Sequence, residues 1–224
     1  KCYQGFNATA GALFCTVTGC HKAAFDMKGK RFSATEINGV YAALPRALGE
    51  ESFTHYFFEA FRQSEDDFVT FMGNQGYNVW NYGAFALRLQ GGSGNDDWKS
   101  ELGVHDGPFL LECAQILGAT STRYTAHIVT STSHSPWLVP ESFPVNIPGE
   151  PALTAFAYVD DSIRAFMMAL QQQPERYAKT LFVITADHTS GTIAGDQRER
   201  MRIPLIFYSP ALREQMIEWR QCQM

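Results

Sequence analysis

Thr180-Leu-Phe-Val-Ile-Thr-Ala-Asp187-His188-Thr-Ser190 is an apolar run that stops abruptly on two neighbouring residues able to bind a metal ion. Leu181, Phe182, Val183, Ile184 and Thr185 follow the polar Tyr177-Ala-Lys179 and precede a Ser-Gly turn, so they read as a strand buried on both faces. Strands of that kind belong to parallel sheets covered by helices, whose ligands bind beyond the carboxyl ends. Inside a regular strand Asp187 and His188 would point to opposite faces. Past the last ladder bond the chain can curl and aim both at one ion. A carboxylate with an imidazole suits zinc or manganese better than calcium. The bland reading of the same pair is an aspartate that caps the following turn beside a surface histidine.

The remaining composition is that of one globular domain. The 224 residues, 45% hydrophobic and 18% charged, suffice for a single substantial core. A net charge of −5 with no basic stripe excludes general nucleic-acid binding. The lysine-rich stretch from His21 to Arg31 reads as a solvated loop. No stretch is apolar for long enough to cross a bilayer and the first residues lack a signal-peptide pattern, so the chain as given is expected to be soluble. Any membrane anchor would lie in segments outside it. Its start at Lys1-Cys2, without a Met, is expected of a processed or partial product. Five cysteines are odd in number and too few for a disulfide scaffold. One bridge among Cys2, Cys15 and Cys20, and buried free thiols, both fit.

Helical and extended patterns alternate along the chain. Thr9 to Cys20 reads as a helix, Val40 to Leu48 as a short one carrying Pro45, and Ser52 to Phe58 as a strand. Glu65 to Gln75 is a helix stopped by Gly76, and Tyr77 to Trp80 is extended. Residues 90 to 97 form a flexible, glycine-rich loop. Asp106 to Leu117 suits a helix with Phe109, Leu110, Cys113 and Leu117 at apolar spacing, and Tyr124 to Thr130 a strand. After a proline-rich loop from Pro140 to Pro151, the clearest helix carries Leu153, Phe156, Ile163, Phe166, Met167 and Leu170 on one stripe. Arg202 to Tyr208 closes the series as a strand. Strand and helix in alternation predict a mainly parallel sheet with right-handed crossovers.

Several short motifs occur together in a familiar order: Leu44-Pro-Arg-Ala-Leu48, Thr54-His-Tyr-Phe-Phe58, Gly103-Val-His-Asp106, Thr130-Ser-Thr-Ser-His134-Ser-Pro136, Tyr158-Val-Asp160, Thr185-Ala-Asp187-His188, and Arg202-Ile-Pro-Leu205 through Ser209-Pro210. This order resembles the sulfatase-like branch of the alkaline phosphatase superfamily, nearest to the lipoteichoic acid synthase and phosphoglycerol transferase group, with phosphoethanolamine transferases as near relatives. The resemblance runs from roughly residue 5 to residue 212. It implies a three-layer α/β/α sandwich with a mainly parallel central sheet. The whole of residues 1–224 would form a single, partial catalytic domain lacking the family's first strand and its C-terminal elements.

The resemblance also implies a site. In such transferases a threonine heads a helix and binds the metal, and Asn7-Ala-Thr9-Ala-Gly-Ala-Leu-Phe-Cys15 is similar to that segment. Thr9 is thereby a candidate nucleophile and metal ligand with Asp187 and His188. A neutral threonine hydroxyl attacks poorly, and a divalent cation lowers its pKa. The same Thr9 is otherwise an ordinary helix cap. His134, at a second strand end, matches a histidine that contacts the phosphate or the leaving group. His105 and Asp106 are weaker candidates for substrate contact, since Asp106 could cap the following helix.

The implied activity is transfer or hydrolysis of phosphate or sulfate esters through a phospho-threonine intermediate, with zinc or manganese as cofactor. The substrate would be a phosphate ester, lipid- or glycerol-linked, and the location extracytoplasmic, periplasmic or cell-surface, in a bacterium. The chain departs from the family in three places. A first strand ending on an acidic ligand is missing before Thr9, relatives continue past Ser209-Pro210, and Arg62 to Phe68 has no equivalent of the tryptophan and arginine of lipoteichoic acid synthases. Neither Cys15 nor Cys20 stands in a Cys-x-Pro-x-Arg pattern, which disfavours a formylglycine sulfatase. The incomplete ligand set leaves an alternative open, a catalytically inactive module that keeps the fold for binding.

Overall fold

The computed structural model describes residues 2–4, 9–20, 39–49, 52–62, 66–90, 97–189, 196 and 200–212. The elements are β1 (Cys2–Tyr3), α1 (Thr9–Thr18), α2 (Leu44–Leu48), β2 (Thr54–Glu59), α3 (Asp66–Asn74), β3 (Asn78–Trp80), α4 (Tyr82–Leu89), α5 (Asp106–Ala119), β4 (Tyr124–Val129), α6 (Pro151–Leu170), α7 (Pro174–Ala178), β5 (Phe182–Thr185), β6 (Arg202–Ile203) and β7 (Leu205–Tyr208), followed by a 3₁₀ turn at Pro210–Leu212. The expected loop at residues 21–31, residues 91–96 of the loop expected at 90–97, Asn7 and the Ser190-Gly191 turn lie outside the described residues.

The central sheet runs β3-β2-β4, and both pairings are parallel. Side chains alternate along β2, which sorts the core into two layers. Phe57 joins Leu13, Phe14 and Val17 of α1 and Phe68, Phe71 and Met72 of α3 on one face. Phe58 joins Phe85 of α4, Phe109, Cys113 and Leu117 of α5 and Phe166 of α6 on the other. Full burial of each such phenylalanine stabilises the fold by roughly 1.5–3 kcal/mol relative to exposure. The result is the three-layer α/β/α sandwich, with a helical layer on each side of the parallel strands.

Local chemistry explains the element ends. Gly76, with φ of 89°, supplies the left-handed turn that stops α3, its N–H donating to the Gly73 carbonyl at 2.9 Å. The expected helix from Val40 is shorter and starts only at Leu44. Pro45 has no N–H to offer a carbonyl one turn earlier, so it fits the first turn of a helix and not its interior.

Three expectations are corrected. The strand at β5 is not buried on both faces: Leu181 and Val183 are 55% and 50% exposed. It pairs antiparallel with β7, with Phe182 opposite Tyr208, and joins none of the parallel strands among the described residues. The single strand expected from Arg202 to Tyr208 is divided, because Pro204 has no ladder donor. Its first part, β6, pairs with β1 and its second with β5.

The apolar stripe of α6 is also displaced. Leu153 and Phe156 are exposed, and the buried face is Thr154, Ala155, Tyr158, Ser162 and Phe166. Close approach to α5 decides this. The Tyr158 hydroxyl accepts the Gly107 N–H at 3.1 Å, and a Cβ on Gly107 would stand 2.6 Å from that oxygen. Among the described residues no helix is long and apolar enough to cross a membrane.

Two tests follow from this packing. Gly103 sits at φ of 156°, and a Cβ there would collide with the Ala60 carbonyl, so Gly103→Ala should destabilise the fold by about 2–4 kcal/mol in denaturant unfolding. Withdrawal from water holds the pKa of His127, on β4 against Phe57, down to about 4, below the ordinary value of 6.5. The unfolded chain therefore binds more protons between those values, so this contribution is intact above pH 6.5 and lost as pH falls to 4. Denaturant midpoints should show wild type losing more stability over that window than His127→Gln. The difference isolates His127 from the buried Asp106 carboxyl, whose raised pKa acts in the opposite direction.

Candidate functional site

Thr9 is the first residue of α1, whose Leu13, Phe14 and Val17 are locked into the core. The far end of the chain meets it there. Beyond Thr185 the backbone leaves β5 and bends through Asp187 and His188, as the end of the ladder permits. Asp187 Oδ1 accepts the His188 N–H at 2.8 Å, which fixes the bend. Asp187 Oδ2 then stands 3.4 Å from His188 Nε2, and Thr9 Oγ1 stands 3.3 Å from the same nitrogen. All three side chains are half-buried.

The histidine tautomer follows from its other nitrogen. His188 Nδ1 lies 2.8 Å from the Thr189 carbonyl, which can only accept, so Nδ1 carries the proton. In the neutral form of the ring, Nε2 then presents its lone pair toward Thr9 and Asp187. Orientation of this kind, with the second nitrogen donating to a backbone carbonyl, is what a metal-binding imidazole requires.

The donor set fits a small divalent ion. Bonds of about 2.0–2.1 Å in tetrahedral geometry separate neighbouring ligand atoms by about 3.3–3.4 Å. The separations of Thr9 Oγ1 and Asp187 Oδ2 from His188 Nε2, 3.3 and 3.4 Å, have this size. Among the described residues no cluster of three or more His, Cys, Asp or Glu accompanies them, so the set consists of one hydroxyl, one carboxylate and one imidazole.

His134, His105 and Asp106 form a separate group, held at the carboxyl end of β4. Asp106, the first residue of α5, accepts the N–H groups of Ser131 and Thr132 on one oxygen at 2.9 and 3.0 Å. Its own N–H donates to Thr132 Oγ1 at 3.0 Å, and Ser131 Oγ donates to the Val104 carbonyl at 2.9 Å. This clamp carries the loop on which His134 stands. The His134 ring is exposed, lies edge-on to Phe61 and faces the Ser135 carbonyl with Nδ1 at 2.6 Å. No hydrogen bond joins His134 to Thr9, Asp187 or His188 among the described residues.

His105 and Asp106, the weaker candidates for substrate contact, lie in the interior. They are 4% and 0% exposed, and burial shifts both toward the neutral form, the imidazole down and the carboxyl up. Asp106 holds the loop after β4 through its carboxylate, and the His105 ring packs edge-on to Tyr158. Asp106 does not cap its own helix, since its partners come from the loop after β4. Sequence reading also passed over Glu59, a buried acid at the carboxyl end of β2, and Gln4, which contacts the Asp-His bend. A strand ending on an acid after Phe-Phe was a visible signal for the first. Nothing local marks the second.

A family model described as Sulfatase matches residues 2–221. A protein in the alkaline phosphatase superfamily from Vibrio parahaemolyticus aligns with a TM-score of 0.73 at 16% identity, covering 93% of this chain and 50% of that one. The lipoteichoic acid synthase LtaP from Listeria monocytogenes gives 0.74 at 16% identity, with 94% and 56% covered. Ps i-CgsB, in complex with k-i-k-neocarrahexaose, gives 0.59 at 12% identity, with 93% and 56% covered. At such identities the likeness is one of fold, an alkaline phosphatase-like α/β architecture. The chain spans about half the length of the solved structures it matches. No curated protein matches it.

The clamp has a measurable consequence. Asp106→Ala leaves two buried loop amides without their acceptor and should destabilise the fold by about 2–4 kcal/mol, whereas Asp106→Asn keeps an acceptor oxygen and should cost less. Denaturant unfolding of the two variants compares them directly.

Proposed function

Because the chain belongs to the sulfatase family over residues 2–221, we propose that it carries the ester-transfer site of a phosphoglycerol-transferase or sulfatase-like enzyme. The carrying observation is the convergence of Thr9 with Asp187 and His188: Thr9 Oγ1 lies 3.3 Å from His188 Nε2 across 179 positions of sequence, and Oδ2 of the neighbouring Asp187 lies 3.4 Å from the same nitrogen. A zinc or manganese ion held by these three residues would neutralise charge at phosphorus and lower the pKa of the threonine hydroxyl.

The chain's own residues have distinct tasks. Thr9 Oγ1 forms a bond to phosphorus as the ester P–O bond breaks, leaving a phospho-threonine, and its hydroxyl proton passes to solvent. His134, exposed and anchored by the Asp106 clamp, supplies a proton to the departing alkoxide or a hydrogen bond to a phosphoryl oxygen. Attack by an acceptor hydroxyl on the phospho-threonine completes transfer, and attack by water completes hydrolysis. The amino terminus of α1, with its helix dipole, favours an anionic substrate beside Thr9.

This reading includes a lipid- or glycerol-linked phosphate ester as substrate and an extracytoplasmic location. A second reading, an inactive module that keeps the fold for binding, is favoured by the small number of acidic and imidazole ligands among the described residues. Metal analysis and turnover separate the two. About one equivalent of zinc or manganese, with release of nitrophenol from a nitrophenyl phosphodiester, is the expected result. Thr9→Ala should abolish turnover, and Asp187→Ala should lose both turnover and metal. A wild-type chain without metal or turnover would leave only the binding module.

A further inference from the structure

The bend that holds Asp187 and His188 is anchored by a residue from the opposite end of the chain. Gln4, buried just after β1, receives the Thr189 backbone N–H at its Oε1, 2.8 Å away. An N–H only donates, so the amide oxygen of Gln4 must face it. Gln4 is itself fixed, since its own N–H donates to the Met201 carbonyl at 2.8 Å and extends the β1–β6 pairing. Thr189 is gripped a second time through its hydroxyl, which donates to the Arg200 carbonyl at 2.8 Å. The carbonyl of this same Thr189 receives the His188 Nδ1–H.

We propose that Gln4 is a positioning residue of the site, acting through Thr189 to set the direction of the His188 Nε2 lone pair. Gln4 precedes Thr9 by five positions (9 − 4 = 5), so the segment that carries the hydroxyl also grips the bend that carries the imidazole. A part-buried hydrogen bond thereby ties the two together. A carbonyl free to drift would let the ring turn, and Nε2 would leave the point that Thr9 and Asp187 face. The inference rests on Thr9, Asp187 and His188 being a metal-binding set.

The test is zinc affinity of the 224-residue chain, measured by competition with a chromogenic chelator for wild type, Gln4→Met and Gln4→Glu. Loss of a partner that orients a ligand typically weakens affinity by about 10- to 100-fold, which is the expected effect of Gln4→Met. Gln4→Glu keeps an acceptor oxygen at the same reach and should recover most of the wild-type affinity. A residue that only supports the fold would lower the melting temperature of the metal-free variants without separating their zinc affinities. Equal affinity in Gln4→Met and wild type, or equal weakness in Gln4→Glu and Gln4→Met, overturns the role. If Gln4→Met fails to fold, hydrogen exchange of the Thr189 amide in wild type decides: slow exchange is expected, and exchange at the rate of an exposed amide overturns the proposal. Wild type that binds no zinc removes the metal-binding reading itself, whereas tight wild-type binding with an indifferent Gln4→Met removes only the positioning role.

Discussion

Phe57 and Phe58 are consecutive in β2, both wholly buried, and face opposite sides of the sheet. The pleat leaves them no alternative, since neighbouring side chains on a strand point opposite ways. One side collects α1 and α3, the other α4, α5 and α6. The strand is central, flanked by parallel partners on both edges, so its backbone groups are paired while its side chains serve two cores. Both candidate regions hang from this arrangement. Thr9 begins the helix that packs on Phe57, and Asp106 begins the helix that packs behind Phe58.

The two regions differ in how they are held. Around Asp106 the work is done by buried hydrogen bonds, because loop amides removed from water need an acceptor. A carboxylate that takes two of them on one oxygen tethers the loop of His134 to the start of α5. Around His188 the bonds are fewer and half-exposed, and they come from residues at both ends of the sequence. The Asp-His bend borrows its order from Gln4 and Arg200, because among the described residues β5 and β7 form a two-stranded ribbon with much of its apolar surface exposed. A rigid sheet therefore supports one region, and a short web of hydrogen bonds supports the other.

Most elements could be read in the sequence wherever one physical signal dominated. The helix from Asp106 showed its buried face through Phe109, Leu110, Cys113 and Leu117, all of which are buried. Gly76 and Pro151 marked a helix end and a helix start. The reading failed where a neighbour outweighed the pattern. On α6 the hydrophobic stripe pointed to Leu153 and Phe156, but the close approach at Gly107 turned Tyr158 and Ser162 inward instead. In β5 an apolar run looked doubly buried, yet hydrophobicity reports a preference for burial and not the number of layers present.

The sequence by itself determined the alternation of strands and helices, the place where a strand yields to Asp187-His188, and the identity of the hydroxyl at the head of the first helix, because these depend on residue type and short spacing. Only the tertiary structure decided that Thr9 and His188 lie 3.3 Å apart, that Nδ1 of His188 faces the Thr189 carbonyl, and that Asp106 turns inward to hold a loop. Those facts depend on distances between segments far apart in the chain. Such distances are fixed by how two aromatic layers close on one strand, and no local run of residues encodes them.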